Sequence, residues 1–85
     1  MYRVEYTRNA EKELNRLPTR IRNTIEAKIA MVAKNPYAPN NNIKVLAGGE
    51  GYRLRVGDYR VVYYLDDGAL IIEIVRVRHR KEAYS

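Results

Sequence analysis

Gly51-Tyr52-Arg53-Leu54-Arg55-Val56-Gly57-Asp58-Tyr59-Arg60-Val61-Val62-Tyr63 is the stretch that decides the fold. Cationic and apolar side chains alternate through Arg53, Leu54, Arg55 and Val56, which is the period of a half-buried strand, and the alternation resumes after Gly57-Asp58. A Gly-Asp pair between two such runs fits a tight antiparallel turn. The stretch reads as a β-hairpin. Leu54, Val56, Val61 and Tyr63 fall on one face; Arg53, Arg55, Arg60, Val62 and Tyr64 fall on the other.

C-terminal to the hairpin, Asp66-Asp67-Gly68 suits a second tight turn, and Leu70 to about Arg78 completes a meander. Alternation there sends Val75 and Val77 inward and Arg76 and Arg78 outward, with Arg80 continuing the parity if the strand persists. N-terminal to it, residues 35–51 carry two prolines, three successive asparagines and three glycines, the composition of a long connection with little regular structure. Ile43, Val45 and Leu46 are expected to anchor that connection to the core, with Lys44 turned the opposite way. Ahead of it lie two amphipathic helices: one capped by Thr7 and reaching about Leu17 on the stripe Ala10, Leu14 and Leu17, and one beginning at Pro18 and running through Ile21, Ile25, Ile29 and Val32 to about Lys34. A joint of one or two residues makes them a hairpin. Tyr2 to Tyr6 alternates as a first strand. The expected fold is α+β, in the order β-α-α-β-β-β, with the helical hairpin packed on one face of a small, mainly antiparallel sheet.

Eighty-five residues make one small domain, 1–85, whose function must sit on the fold itself. It has no cysteine for a cross-link or a thiolate metal site. No apolar run approaches a membrane span, and the alternating N-terminus is unlike a signal-peptide core, so a soluble, cytoplasmic protein is expected. A net charge of +6 and a pI near 9.8 favour a polyanionic partner, although charge of this size also serves solubility alone.

Where the charge falls is more informative. If helices cover one sheet face, the other holds Arg53, Arg55, Arg60, Arg76, Arg78 and Arg80, with few acids among them beyond Glu73 and Glu82. Like charges opposite one another across strands repel, and a bound anion relieves that repulsion. Arginine in particular offers a planar fork that matches phosphate oxygens in pairs. Most tyrosines near this face read as core or rim residues, but Tyr84 lies in a polar tail and is placed to stack on an unpaired base.

Lys44-Val45-Leu46, the run from Gly51 to Tyr63, and His79-Arg80-Lys81-Glu82-Ala83-Tyr84 together resemble the RelE branch of the RelE/ParE toxin superfamily, essentially end to end. The resemblance implies a toxin of a type II toxin–antitoxin pair that cuts messenger RNA in the ribosomal A site without metal or cofactor. The 2′-hydroxyl attacks the adjacent phosphorus and leaves a 2′,3′-cyclic phosphate. It further implies that Arg60 neutralises the reacting phosphate, that Arg80 protonates the 5′-oxygen leaving group and that Tyr84 positions the base. Arg53 and Arg55 stand where well-known members carry lysines, one of them a proposed general base. Arginine, with a pKa above about 12, is a poor proton acceptor near neutrality, so that role does not transfer. His79 has the side chain best suited by nature to proton transfer, yet alternation aims it toward the core side; catalytic and structural roles both stay open. Arg53 and Arg55 are counted with Arg60, Arg80 and Tyr84 in the expected catalytic set, and Lys44, Arg76, Arg78, His79 and Lys81 form the expected RNA-binding set. The partners implied are the ribosome with its message and a helical, RelB-like antitoxin, with no membrane. The alternatives are a ParE-like inhibitor of DNA gyrase without nuclease activity and a catalytically weak domain that binds RNA or its antitoxin.

Overall fold

A computed structural model describes residues 1–83 of the chain. Strand β1 (Arg3–Tyr6) leads into helix α1 (Arg8–Asn15), whose N-terminus is capped by Thr7: its hydroxyl accepts from the Ala10 N–H at 3.2 Å. Losing such a cap costs about 1 kcal/mol. Helix α2 (Thr19–Lys34) follows a three-residue joint, Arg16-Leu17-Pro18, one residue longer than expected. Pro18 sits just before the first turn of α2, where its missing N–H is not needed.

The remaining chain is a sheet. Strands β2 (Ile43–Val45), β3 (Tyr52–Val56), β4 (Tyr59–Asp66) and β5 (Ile71–His79) join β1 in the order β1-β5-β4-β3-β2. Every pairing is antiparallel except β1 with β5. A short helix, α3 (Arg80–Ala83), ends the described chain. The connection expected to be irregular thus contributes an edge strand, β2, because Ile43 lies opposite Leu54 and reaches the core beside it. Val45 is no anchor: it is 61% exposed, lying on the last residue of the edge strand. Leu46 folds to the opposite face, against Tyr64 and over Gly51.

One apolar layer joins the helices to the sheet. Ala10, Leu14, Ile25, Ile29, Val32 and Ala33 meet Leu54, Val56, Val61, Tyr63, Ile72, Ile74 and Val77. Each large aliphatic or aromatic side chain buried this way contributes about 1.5–3 kcal/mol. Strand β5 departs from simple alternation. Val62 lies opposite Arg76 but Tyr63 opposite Ile74, so Val75 is the extra residue of a β-bulge and is only half-buried. The bulge resets the parity: Ile72 and Ile74 point inward before it, and Val77 points inward after it. Without the bulge, the inward set Val75 and Val77 would have required Glu73 to face the core.

The β3–β4 turn is the two-residue Gly57-Asp58, with φ at +58° for Gly57 alone, as a type II′ hairpin requires. The β4–β5 connection spans four residues, 67–70, longer than its Asp-Asp-Gly signal suggests, and Leu70 instead of Gly68 takes the positive φ. Asp67 in that connection accepts hydrogen bonds from Tyr2 at 2.8 Å and from Tyr37 at 2.5 Å, tying β1 and the segment after α2 to the far end of the sheet. These phenols hold the Asp67 carboxyl below its ordinary 3.8, and the hydrogen bond to Asp67 raises both tyrosines. A depressed carboxyl contributes stability that is complete above its unfolded pKa and lost as pH falls through the folded one. The gap in urea midpoint between wild type and Asp67→Asn is therefore expected to be full at neutral pH and to close below about pH 3.8. A gap that stays constant down to strongly acidic pH would remove the carboxylate from this role.

Candidate nucleic-acid interface

Helices α1 and α2 pack on one face of the sheet, and the outward side chains of the strands line the other. Strand register arranges that outward face into two cross-strand rows. Arg55 lies opposite Arg60, and Arg60 opposite Arg78; two residues along, Lys44 lies opposite Arg53, Arg53 opposite Val62 and Val62 opposite Arg76. Rows two residues apart are separated by about 6.5 Å, and strands within a row by just under 5 Å. Lys44, Arg53, Arg55 and Arg60, with Asn41 and Asn42, line a polar cleft of about 230 Å³.

Local contacts orient these cations. Asn42 Oδ1 accepts from Arg55 Nε and Nη2 at 3.3 and 3.0 Å, while the Asn42 carbonyl accepts the Arg55 backbone N–H at 2.8 Å. One amide thus fixes one edge of the guanidinium and leaves the other toward the cleft. Arg60 Nη1 donates to the carbonyls of Gly57 and Tyr59 at 3.1 and 3.0 Å, so the hairpin turn cradles the central arginine. Neither acceptor is an acid, and among the described residues no carboxylate pairs with either group.

Arg76 and Arg78 differ. Glu13 of α1 reaches the edge of β5, where its Oε1 accepts the Val77 N–H at 2.8 Å and its Oε2 lies 3.4 Å from Arg76 and 3.8 Å from Arg78. The expectation of an arginine face with few acids beyond Glu73 and Glu82 overlooked this carboxylate. Its sequence signal was faint but present: Glu13 stands three residues from Ala10 and next to Leu14, on the border of the buried stripe. Asn42 was legible only as part of a loop.

The C-terminal set divides. His79 packs its ring edge-on to Tyr59, with centroids 5.3 Å apart, and borders a cleft with Glu13, Leu17 and Val77 on the helix side. Its Nδ1 accepts the Lys81 N–H at 3.3 Å. It is thus turned from the arginine rows, as alternation implies. Arg80 does not continue the strand parity. The strand stops at His79, and Arg80 opens α3, held by its backbone N–H to the Asp58 carbonyl at 2.6 Å. Arg80 and Lys81 are exposed at the same end of the sheet as the Arg60 turn. Tyr84 lies outside the described residues. Among the described residues no three His, Cys, Asp or Glu side chains gather as a metal site, and no helix is long and apolar enough to cross a membrane.

Fold and face together define a class: a small two-layer α+β protein whose outward sheet surface concentrates guanidinium groups suited to a polyanion. Comparison with known proteins narrows that class to a family. The model of the ParE toxin of type II toxin–antitoxin systems matches residues 4–84. Toxin RelE of Mycobacterium tuberculosis is 33% identical over 84 residues, covering 98% of this chain and 86% of that protein. The mRNA interferase toxin RelE of Escherichia coli is 27% identical over 86 residues, covering 99% and 90%. Among solved structures, the toxin–antitoxin complex RelBE2 of M. tuberculosis gives a TM-score of 0.76 at 30% identity, covering 93% of this chain and 98% of that one. The archaeal RelE–RelB complex of Pyrococcus horikoshii gives 0.80 at 28% identity, covering 93% and 94%. The chain belongs to the RelE/ParE family of type II toxin–antitoxin toxins and is RelE-like in sequence and fold.

Proposed function

We propose that this toxin is a ribosome-dependent endoribonuclease that cuts messenger RNA within the A-site codon and so stops translation. The observation that carries the reading is the cation cleft around Arg60: a sheet face on which Lys44, Arg53, Arg55 and Arg60 converge with no opposing acid among the described residues. A relative bearing the name mRNA interferase supports it. In this reading the 2′-hydroxyl oxygen attacks the neighbouring phosphorus as its proton passes to water, the bond to the 5′-oxygen breaks, and a 2′,3′-cyclic phosphate and a free 5′-hydroxyl result. Arg60, fixed by its turn, stabilises charge building on the phosphoryl oxygens. Arg53, Arg55 and Lys44 hold the flanking backbone, Arg80 donates a proton to the departing oxygen, Lys81 adds positive charge nearby, and Tyr84 stacks on the base.

Arginines dominate the described cleft, so acid–base catalysis by a side chain with a pKa near neutrality has little footing there. Orientation on the ribosome and electrostatic stabilisation then carry the rate, which makes cleavage slow and ribosome-dependent. The solved RelE–RelB complexes support an antitoxin partner; in this reading the partner is met in the cytoplasm and an acidic, helical segment of it folds over the cationic face.

A toeprint on a defined message in a translating extract, with naked RNA as control, tests the proposal. The expected result is a cut inside the A-site codon that requires ribosomes. The matching family model bears the ParE name, which favours gyrase inhibition as the second reading. Growth arrest with no cut, together with lost supercoiling activity of purified gyrase, would establish that reading instead.

A further inference from the structure

We infer that Glu13 is a positioning residue that withdraws Arg76 and Arg78 from phosphate binding, and so confines the cationic face to a single RNA track along Lys44, Arg53, Arg55 and Arg60. The inference rests on the RNA-binding reading and adds a division of labour among the arginines.

The contacts are specific. Strand β1 pairs with residues 71–74 of β5, so beyond the Val75 bulge that edge of β5 has no neighbouring strand among the described residues. Glu13 fills that gap: one oxygen takes the orphaned Val77 N–H, and the other faces both arginines. The Glu13 side chain is 19% exposed against 40% and 37% for Arg76 and Arg78, so the carboxylate is the inner member of the triad. The Nε atoms of Arg76 and Arg78 are buried at this edge and make no hydrogen bond among the described residues, so both stems are held down against the sheet. Arg78 lies directly opposite Arg60. With Glu13 charged, the pair Arg76 and Arg78 presents about one net positive charge instead of two, and it is drawn toward α1.

A second cation row left free would let a flexible backbone settle in more than one register. Counterion release gives a direct measure of how many cations engage phosphates: each contact on single-stranded RNA adds about 0.7 to the slope of log K against log salt. Binding to a short single-stranded RNA with 2′-O-methyl sugars, which cannot be cut, is measured by fluorescence anisotropy across a salt series. Glu13→Gln keeps an oxygen for the Val77 N–H but removes the charge, and it is expected to bind several-fold tighter at low salt with a slope steeper by about 0.7 to 1.4. In the Arg76→Gln/Arg78→Gln background the effect of Glu13→Gln is expected to vanish.

The double variant alone is expected to change the wild-type slope by less than about 0.5, whereas Arg53→Gln flattens it by about 0.7. A Glu13→Gln protein with lower thermal stability and an unchanged slope would overturn the inference, leaving Glu13 a structural residue. So would a double variant whose slope flattens by about 1.4, which needs no folded Glu13 variant to be seen. The proposed function fails separately. A wild type that never cuts on ribosomes, beside a Glu13→Gln variant with a steeper slope, would sink the nuclease reading and leave this one standing.

Discussion

Arg60→Ala is expected to lower ribosome-dependent cleavage by about two to three orders of magnitude, the usual loss when one fixed donor to a developing oxyanion is removed. The geometry sharpens the expectation. Arg60 spends one terminal nitrogen on the Gly57 and Tyr59 carbonyls, which fixes the direction of the remaining donors before any RNA arrives. Lysine retains the charge but has no fork with which to grip the turn and a phosphate together. Arg60→Lys should therefore recover binding to a non-cleavable RNA almost fully and cleavage only in small part. Single-turnover cleavage on programmed ribosomes, measured beside affinity, separates the two. A lysine variant that cuts at the wild-type rate would show that charge alone suffices and that the cradle is incidental.

The second large effect concerns stability. Tyr63 is 1% exposed and stacks on Tyr52 across the β3–β4 pair with centroids 5.4 Å apart. Burial, with the Tyr52 phenol adding to it, pushes the Tyr63 hydroxyl up to about 12. Tyr63→Ala removes a ring from the middle of the core and should cost about 3–5 kcal/mol. That is a large share of the roughly 5–15 kcal/mol that holds a domain together, so the variant is expected to be largely unfolded at 37 °C. Tyr63→Phe should behave differently. The hydroxyl is buried without a hydrogen-bond partner among the described residues, so deleting it should leave stability unchanged or raise it by up to about 1 kcal/mol. Urea unfolding of the pair reads both effects; a phenylalanine variant destabilised by more than about 1 kcal/mol would mean the hydroxyl is satisfied in solution.

The hairpin from Gly51 to Tyr63 was legible because its two faces differ so sharply in chemistry that a strand period is the simplest account. The helical hairpin was legible through Thr7, Pro18 and the stripe of isoleucines for the same reason. Three features were not. Residue β2 Ile43 pairs in a segment whose prolines and asparagines mask any period, and only three residues of it form a strand. The Val75 bulge adds one residue without a glycine or proline to mark it, so alternation counted back from Val77 went out of phase. Arg80 follows an unbroken alternating run, and what ends the strand there is a backbone bond to Asp58, twenty-two positions away in sequence, which local pattern does not record.

For the site, the identity of the central cations followed from parity, because face is a local property of a strand. Their grouping did not. Asn42 and Glu13 arrive from a loop and a helix, and their contacts with Arg55, Arg76 and Arg78 depend on tertiary packing that composition does not reveal.

One consequence follows from the two-residue turn between β3 and β4. Its first carbonyl holds the side chain of Arg60 and its second holds the backbone of Arg80, so a single pair of peptide groups keeps two distant parts of the chain in mutual alignment. Inserting one glycine between Gly57 and Asp58 would disturb that alignment while sparing both arginines and the core. Such insertions offer graded attenuation, a family of weakened toxins ordered by loop length with the arginines and the core left in place.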